Sequence, residues 1–443
     1  MQSQTKEKIE RLTRQRNYLN SRELNLGGNP YTVREAVLAA PLIASLNGLF
    51  VGGTGEGKTQ LANDITSLVG DRYCYTEGRP DFELSELFKH LNLEKLRETK
   101  TDKDLVELTE NTQKALFYVD EINRCPPIVM NYFFNFFDGK VVHNGKIFIL
   151  GKDGYSTGFA SGNLGDGAYV GISDTDRALK DRMHLIIKLD DPKFCTTEKD
   201  DGEIFGTKRN PRASLPNASD DCYKDILDLH KEFKEREVPL ILPALGIYFH
   251  KGLDYLENTK RHSKRALDMK WPNVQGIRTD TDESKIFPLS KRGILAAISL
   301  TQALEMIAES KGYQVKDTSE LFLDAMELTV PYSGVLAPNF VHIDNDGDVY
   351  EAFDSVMKGI KTEVRERKDA LEKALALAQY GVKDDKFLNK ISPISKGNKW
   401  LPVRRHIEIL AEEAQKEGIK KTKLEEIIKE VKKPTNPATG FTV

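Results

Sequence analysis

Residues 52–59 have the composition and spacing of a loop that binds phosphate groups. They read Gly52-Gly53-Thr54-Gly55-Glu56-Gly57-Lys58-Thr59, which fits the pattern G-x-x-x-x-G-K-[ST]. Glycines let the backbone curl with its N–H groups pointing inward, and a following helix adds its positive N-terminal end. The lysine would reach the β- and γ-phosphates, and the threonine hydroxyl would bind Mg²⁺. The pattern predicts a site for a nucleoside triphosphate with Mg²⁺.

The whole loop and the residue after it belong to this predicted site. The predicted nucleotide-binding residues are Gly52, Gly53, Thr54, Gly55, Glu56, Gly57, Lys58, Thr59 and Gln60. An accidental glycine-rich turn is the alternative interpretation. The agreement of an apolar strand, a loop, a lysine, a hydroxyl and an amphipathic helix favours the phosphate site.

A second candidate group is a pair of adjacent carboxylates, Asp120 and Glu121, at the end of an apolar run. Successive strand residues point to opposite sides, so the two acids can have different tasks. Asp120 is predicted to join Thr59 around the Mg²⁺ ion, and Glu121 to orient and deprotonate the attacking water. Acids at a strand end are often only solvated, but their position downstream of a phosphate loop favours the catalytic interpretation.

These residues need strands and helices that bring them together. Short apolar runs, such as 115–119 and 185–189, alternate with helical patterns between residues 31 and 191. This alternation predicts an α/β fold with a parallel sheet flanked by helices. The near-continuous apolarity of residues 115–119 fits a strand that is buried on both faces.

Outside this core the patterns are mostly helical. Residues 5–26 are predicted to be helical up to a Gly-Gly-Asn-Pro break, and residues 193–221 form a polar insertion or hinge. The predicted division is an N-terminal helical appendage (1–30), an α/β ATPase core (31–195), a linker or insertion (196–220), a helical lid (221–340) and a helical C-terminal extension (341–443).

The residues that follow the strand of Asp120 resemble MoxR-type AAA+ ATPases. Asp120-Glu121-Ile122-Asn123-Arg124-Cys125-Pro126-Pro127 is similar to the D-E-I-N-R-x-P-P stretch of that family. Further similar stretches lie at 78–85, 136–146 and 159–163. The resemblance covers about residues 31–191, and more loosely 221–338. It implies a P-loop AAA+ core with a helical lid, Mg-ATP hydrolysis, and a ring that is most often a hexamer.

The resemblance also implies roles for three polar residues. Asn163 would be the first sensor, an amide that positions water or detects the γ-phosphate. Arg182 would be the arginine finger that one subunit lends to its neighbour, with Arg177 as the less favoured candidate. A surface arginine paired with an acid is the other interpretation of Arg182. Arg292 would be the second sensor, although Lys291 stands where the family has proline.

Composition limits the classes of function. The chain has 443 residues, a net charge of −3 and a pI near 6.3, which argues against a surface coated by nucleic acid but not against a local basic patch. The four cysteines are widely spaced and form no CxxC pair, as in a reducing compartment. With no long apolar stretch or leader pattern, the expected location is the cytoplasm without a membrane span.

The combined prediction is an ATPase that acts like a chaperone and remodels a protein partner. Residues 141–150 form a predicted hairpin, which either contacts that partner or is only structural. The alternative function is a nucleic-acid motor or loader, to which the basic tail 403–433 would contribute. A nucleotide-gated scaffold with negligible turnover is a third hypothesis, against which the intact acid pair argues.

Overall fold

The computed structural model describes residues 2–81, 89–91, 106–126, 129, 133, 135–143, 146–163, 180–207, 221–256, 261–262, 282–394 and 398–416. The chain divides into two compact units. Unit 1 comprises Met1–Glu237 and Leu295–Gly334, and unit 2 comprises Val238–Ile294 and Val335–Val443. Each unit therefore combines separate segments of sequence.

The strands are β1 (Glu23–Leu26), β2 (Asn29–Thr32), β3 (Gly48–Gly52), β4 (Tyr73–Glu77), β5 (Lys89–Leu91), β6 (Val106–Leu108), β7 (Leu116–Asp120), β8 (Lys140–His143), β9 (Lys146–Ile149), β10 (Thr157–Asn163), β11 (Leu185–Lys188), β12 (Tyr255–Leu256) and β13 (Arg261–His262).

The α-helices are α1 (Gln2–Thr13), α2 (Ala40–Ala44), α3 (Lys58–Ser67), α4 (Glu198–Thr207), α5 (Tyr223–Glu235), α6 (Ile241–Ile247), α7 (Lys291–Ser310), α8 (Thr318–Thr329), α9 (Pro338–His342), α10 (Val349–Ala378), α11 (Asp385–Ile391) and α12 (Leu401–Lys416). Single π-helical turns precede α2 (Glu35–Ala39) and follow α6 (Tyr248–Gly252).

The centre of unit 1 is a five-stranded sheet in the order β11-β3-β10-β7-β4, with every neighbouring pair parallel. Both β3 and β7 are buried along their whole length, which explains their apolar sequences. Helices flank the sheet, so the predicted fold class is confirmed. Because the strands are parallel, all their carboxyl ends lie at one edge, here called the carboxyl edge, and all their amino ends at the other, the amino edge.

The N-terminal segment is part of unit 1 and differs from the prediction. Helix α1 ends at Thr13, and residues 23–32 form the antiparallel hairpin of β1 and β2. The prediction of helix up to residue 26 was therefore wrong beyond Thr13. The backbone N–H groups of Asn17 and Tyr18 donate to the carboxylate of Asp64 in α3, at 2.9 and 3.2 Å. These bonds attach the segment to the helix that follows the phosphate loop.

Other predicted boundaries also differ from the observed elements. Helix α4 lies inside the segment predicted as a linker. The predicted lid, 221–340, contributes residues to both compact units. Of the predicted C-terminal helices, α10 and α12 are present as far as residue 416, and the basic tail beyond it lies outside the described residues.

Unit 2 contains a hydrogen-bonded polar cluster next to the buried Trp400 side chain. Lys399 Nζ donates to Asp282 and to Glu363, both at 2.5 Å, and Trp400 Nε1 donates to Glu363 at 3.1 Å. The Trp400 and Tyr248 rings lie 4.4 Å apart between centroids. None of the helices in the described part of the chain is long and apolar enough to span a membrane.

Candidate nucleotide site

The predicted phosphate loop joins β3 to α3 at the carboxyl edge of the sheet. Gly55 and Gly57 have φ angles of 95° and 76°, which side-chain-bearing residues rarely adopt, and Gly57 directly precedes the first residue of α3. Thr54, Gly55 and Thr59 are exposed, so the loop and the start of the helix are open to a ligand. The loop therefore has the conformation that the sequence pattern predicts.

Lys58 is folded back onto the loop. Its Nζ donates to the carbonyl oxygens of Gly52 at 3.0 Å and Gly53 at 2.5 Å, and the residue is only 8% exposed. Burial lowers the pKa of Lys58, and nearby negative charges oppose that shift. In order of size these charges belong to Asp190, Asp120, Glu56 and Glu121. The structure thus brings the loop lysine close to both strand-end carboxylates.

Two side chains that sequence reasoning missed support the loop. The ring of Tyr18 lies beside Gly57, where an added Cβ would stand 3.0 Å from it. Asp190, just after β11, accepts a hydrogen bond from the Gly53 N–H at 3.1 Å. Burial raises the pKa of Tyr18 to about 12, so this phenol stays neutral near pH 7. Neither residue belongs to a local motif, because each reaches the loop from a distant part of the chain.

Asp120 ends β7, and both of its carboxylate oxygens accept hydrogen bonds. Tyr75 Oη donates to Oδ2 at 2.6 Å, and Ser161 Oγ donates to Oδ1. Burial, followed by the bond to Asp120, raises the pKa of Tyr75. A carboxylate oxygen accepts more than one bond, so Asp120 retains lone pairs for a metal shell.

The donors at this edge fit Mg²⁺ when it arrives with phosphate. Asp120 offers carboxylate oxygens and Thr59 an exposed hydroxyl, which are the hard oxygen ligands that Mg²⁺ prefers. In the described part of the chain, no three His, Cys, Asp or Glu side chains are grouped to hold a metal. Mg²⁺ commonly keeps waters and takes its remaining ligands from substrate phosphates, which this sparse set permits.

Glu121 follows the strand in an unusual backbone conformation. Its φ and ψ are 51° and 44°, in the left-handed region, where residues other than glycine are uncommon. Its N–H donates to Ser161 Oγ at 3.1 Å, and its Oε2 lies 3.0 Å from Nη1 of Arg124. Non-glycine residues in this conformation cluster at functional sites, which agrees with the predicted role of Glu121.

Asn163 is the last residue of β10, which lies between β3 and β7. Its backbone pairs with Gly52, at the start of the phosphate loop. The register thus places its backbone beside the start of the loop. Its side chain lies outside the described residues, so its sensor role stays a prediction.

Arg182 lies at the amino edge. It precedes β11, whose first residue, Leu185, pairs with Gly48 at the amino end of β3. Its Nε donates to Asp138 Oδ2 at 3.1 Å, and its carbonyl oxygen accepts from Asn47 Nδ2 at 3.0 Å. The structure does not bring Arg182 to the phosphate loop of its own chain.

Two further arginines, Arg292 and Arg177, were also predicted to act at the site. Arg292 is in the first turn of α7, within unit 2. Its role as second sensor remains a prediction. Arg177, the alternative finger, lies outside the described residues.

Comparison with known proteins identifies the class of the core. Residues 47–183 match the family model of the AAA domain, dynein-related subfamily. A search of curated proteins finds no match. The phosphate loop, Asp120 and Glu121 all lie within the matched region. This match supports ATPase activity of the core formed by residues 47–183.

The solved structures that are similar to the chain include an ATPase and an MCM homologue. A "putative ATPase" from Cytophaga hutchinsonii ATCC 33406 aligns with a TM-score of 0.50 and 13% identity, covering 81% of this chain and 94% of that protein. At this identity the likeness shows a shared fold. A full-length MCM homologue from Methanopyrus kandleri aligns with a TM-score of 0.38 and 16% identity, over 66% of this chain and 55% of that protein, and supports no argument.

Proposed function

We propose that this protein hydrolyses Mg-ATP within a ring of identical subunits, most simply a hexamer, and that it remodels a protein partner as MoxR-type ATPases do. One observation supports the proposal above all. The phosphate loop and the Asp120-Glu121 pair share the carboxyl edge, whereas Arg182 lies at the amino edge. A site of this kind is completed by a second copy of the chain.

The proposed roles follow from position and chemistry. Lys58 would exchange its bonds to the loop carbonyls for bonds to the β- and γ-phosphates. Thr59 and Asp120 would hold Mg²⁺, which supplies positive charge to the phosphates. Glu121 would accept a proton from the attacking water, and Asn163 would orient that water. Phosphoryl transfer depends mainly on such positioning and charge.

Arg182 would act in the neighbouring site. Because β11 runs parallel to β3, its amino end cannot coincide with the carboxyl end of β3, where the loop begins. An arginine finger supplied by another molecule stabilises charge on the transferring phosphoryl group. We therefore assign to Arg182 a role between subunits and to Arg292 a role in sensing nucleotide.

The hairpin of β8 and β9 is the proposed contact with the partner. Its strands expose Val142, Ile147 and Ile149, which are 49%, 64% and 71% accessible. Large apolar side chains that remain exposed together often mark a protein contact. We propose that this hairpin meets the protein that the ring remodels.

Glu121→Gln tests the hydrolytic part of the proposal. The amide keeps the size of the side chain but cannot accept a proton, so ATP binding should persist while kcat falls by about 10²- to 10⁴-fold. Binding would be measured with a fluorescent ATP analogue and turnover by phosphate release. Glu110→Gln is the matched control, because Glu110 is an exposed glutamate before the amino end of the same strand.

Near-normal turnover by Glu121→Gln would remove the assigned base. A wild-type protein that neither binds nor cleaves Mg-ATP would contradict the proposed function as a whole. The ATP-bound Glu121→Gln ring is also the form to use for affinity purification, because slow hydrolysis should retain the partner.

The nucleic-acid alternative predicts a different response. A motor or loader would show ATPase activity that DNA stimulates, with a steep loss of stimulation as salt rises. The net charge of −3 does not favour this outcome. Unchanged turnover in the presence of single- and double-stranded DNA would exclude it.

A further inference from the structure

Ser161 is a fully buried polar residue for which the proposed mechanism has no role. It lies in β10, where its neighbour Ala160 pairs with Val119 of β7. The parallel register therefore aligns Ser161 with Asp120, at the carboxyl edge. A buried hydroxyl in a sheet core requires hydrogen-bond partners, and Ser161 bonds to both residues of the acid pair.

The hydroxyl of Ser161 contacts both members of the pair. It donates its hydrogen to Asp120 Oδ1, and it accepts the backbone N–H of Glu121 at 3.1 Å. A serine hydroxyl has one hydrogen and two lone pairs, so both bonds can exist together. One oxygen atom thus fixes the side chain of Asp120 and the main chain of Glu121.

Glu121 is also restricted on its other side. A Cβ atom at Gly78 would collide with the Glu121 carbonyl oxygen, and the Gly78 N–H donates to the Asp120 carbonyl oxygen at 2.7 Å. The left-handed conformation of Glu121 persists only if its surroundings hold it. Ser161 holds the N–H side of this residue, and Gly78 closely covers the carbonyl side.

Tyr75 is a second residue whose hydroxyl bonds to Asp120, and it can be compared with Ser161. The Tyr75 hydroxyl donates to Asp120 Oδ2 at 2.6 Å, while the Ser161 hydroxyl donates to the other carboxylate oxygen, Oδ1. Tyr75 therefore restrains the metal-binding carboxylate, whereas Ser161 restrains that carboxylate and also the backbone N–H of Glu121. This difference separates the two residues experimentally.

We propose that Ser161 is a positioning residue that sets the metal-holding Asp120 and the proton-accepting Glu121 in register with each other. The proposal rests on the proposed ATPase function. Without the hydroxyl, Asp120 loses one restraint and the strained Glu121 loses its anchor. Both the response to Mg²⁺ and the rate of cleavage should then change.

The test compares Ser161→Ala with Tyr75→Phe in the full chain. For Ser161→Ala we expect kcat to fall about 10- to 100-fold, since small misplacements of reacting groups have effects of this size. The Mg²⁺ concentration that gives half-maximal activity should rise in both variants. The loss of kcat should be clearly smaller in Tyr75→Phe. Binding of a fluorescent ATP analogue in EDTA should not change, because the phosphate loop is intact.

Ser67→Ala is the matched control. The Ser67 hydroxyl is equally buried, but it donates to the Asp64 carbonyl oxygen within α3, at 2.7 Å. A structural role of Ser161 alone would lower the unfolding temperature of both serine variants and leave the Mg²⁺ response unchanged. That result, or a kcat loss in Ser161→Ala no larger than in Tyr75→Phe, would overturn the proposal. Failure of the wild-type protein to hydrolyse ATP would instead contradict the proposed function.

Discussion

The two edges of the central sheet place their functional side chains by different means. At the carboxyl edge, Asp120 and Glu121 are held by the buried Ser161 hydroxyl, by the Tyr75 hydroxyl and by an unusual backbone conformation. At the amino edge, Arg182 is half-buried, and its guanidinium meets Asp138. Groups that must surround a small ligand are thus fixed from within the chain. The group predicted to act on another subunit keeps partial access to solvent.

Asn47 joins several segments at the amino edge. Its amide nitrogen donates to the carbonyl oxygens of Phe137 at 2.7 Å and Arg182 at 3.0 Å, and its amide oxygen accepts from the Gly158 N–H at 2.9 Å. A single buried amide therefore joins three segments next to Arg182. Arg182 is thus anchored through its backbone carbonyl as well as through its ion pair with Asp138.

The largest expected effect tests whether the two edges serve different subunits. Arg182→Ala should lower kcat by about 10³-fold or more, because the finger charge is lost. Lys58→Ala should remove the phosphate site but leave the finger intact. A mixture of the two variants should regain activity, since some interfaces pair an intact loop with an intact finger. Phosphate release from the mixture measures this recovery.

Arg236→Ala is the control for the loss of a paired arginine. Arg236 binds Glu309, and its side chain is 25% exposed, against 22% for Arg182. We expect the Arg236→Ala variant to hydrolyse ATP at close to the wild-type rate. If the mixed variants assemble together but show no recovery, the division of roles between the edges is wrong.

A smaller effect concerns two ion-paired acids, Asp64 in α3 and Asp138 at the amino edge. Asp64, in the helix after the phosphate loop, is fully buried with Arg34, whose Nη1 lies 2.6 Å from its Oδ2. Burial lowers the pKa of Arg34, but its guanidinium remains charged. Asp64→Asn should cost about 3–5 kcal/mol, because it leaves a buried charge without compensation. Asp138→Asn should cost less, about 1–2 kcal/mol, because the Arg182 and Asp138 side chains keep 22% and 17% exposure, against 1% and 0% for Arg34 and Asp64.

Urea unfolding of the two variants measures this difference in stability. Equal losses of unfolding free energy would show that burial does not decide how much each ion pair contributes to stability. ATP binding by Asp138→Asn should be unchanged, because Asp138 is remote from the phosphate loop along the strands.

The smallest effect compares two glycines that have similar backbone angles. Gly57 in the phosphate loop and Gly154 before β10 have φ angles of 76° and 70°. Alanine at either position should cost about 1–2 kcal/mol, because a Cβ disfavours this conformation. Only Gly57→Ala should also weaken ATP binding, since its Cβ would meet Tyr18 at 3.0 Å, whereas no atom lies within 4 Å of a Cβ at Gly154.

Titration with a fluorescent ATP analogue and thermal unfolding measure the two effects separately. Equal ATP affinity in both glycine variants would show that the contact with Tyr18 has no influence on the loop.

Much of the fold could be predicted because its signals are local. The apolar runs 115–119 and 185–189 are close to the observed β7 and β11, and the loop pattern locates the start of α3. The N-terminal region was less predictable. Its helix ends at Thr13, and the chain then follows contacts to Asp64 that no short window of sequence contains.

The sequence by itself determined the phosphate loop, the acid pair and the buried strands that carry them. These features depend on residues that are neighbours in the chain, so their spacing specifies their geometry. Only the tertiary structure decided that Ser161, Tyr75 and Tyr18 support the site, and that Arg182 lies at the opposite edge. The strand order β11-β3-β10-β7-β4 brings distant residues together, and hydrogen bonds between such residues leave no periodic trace in the sequence.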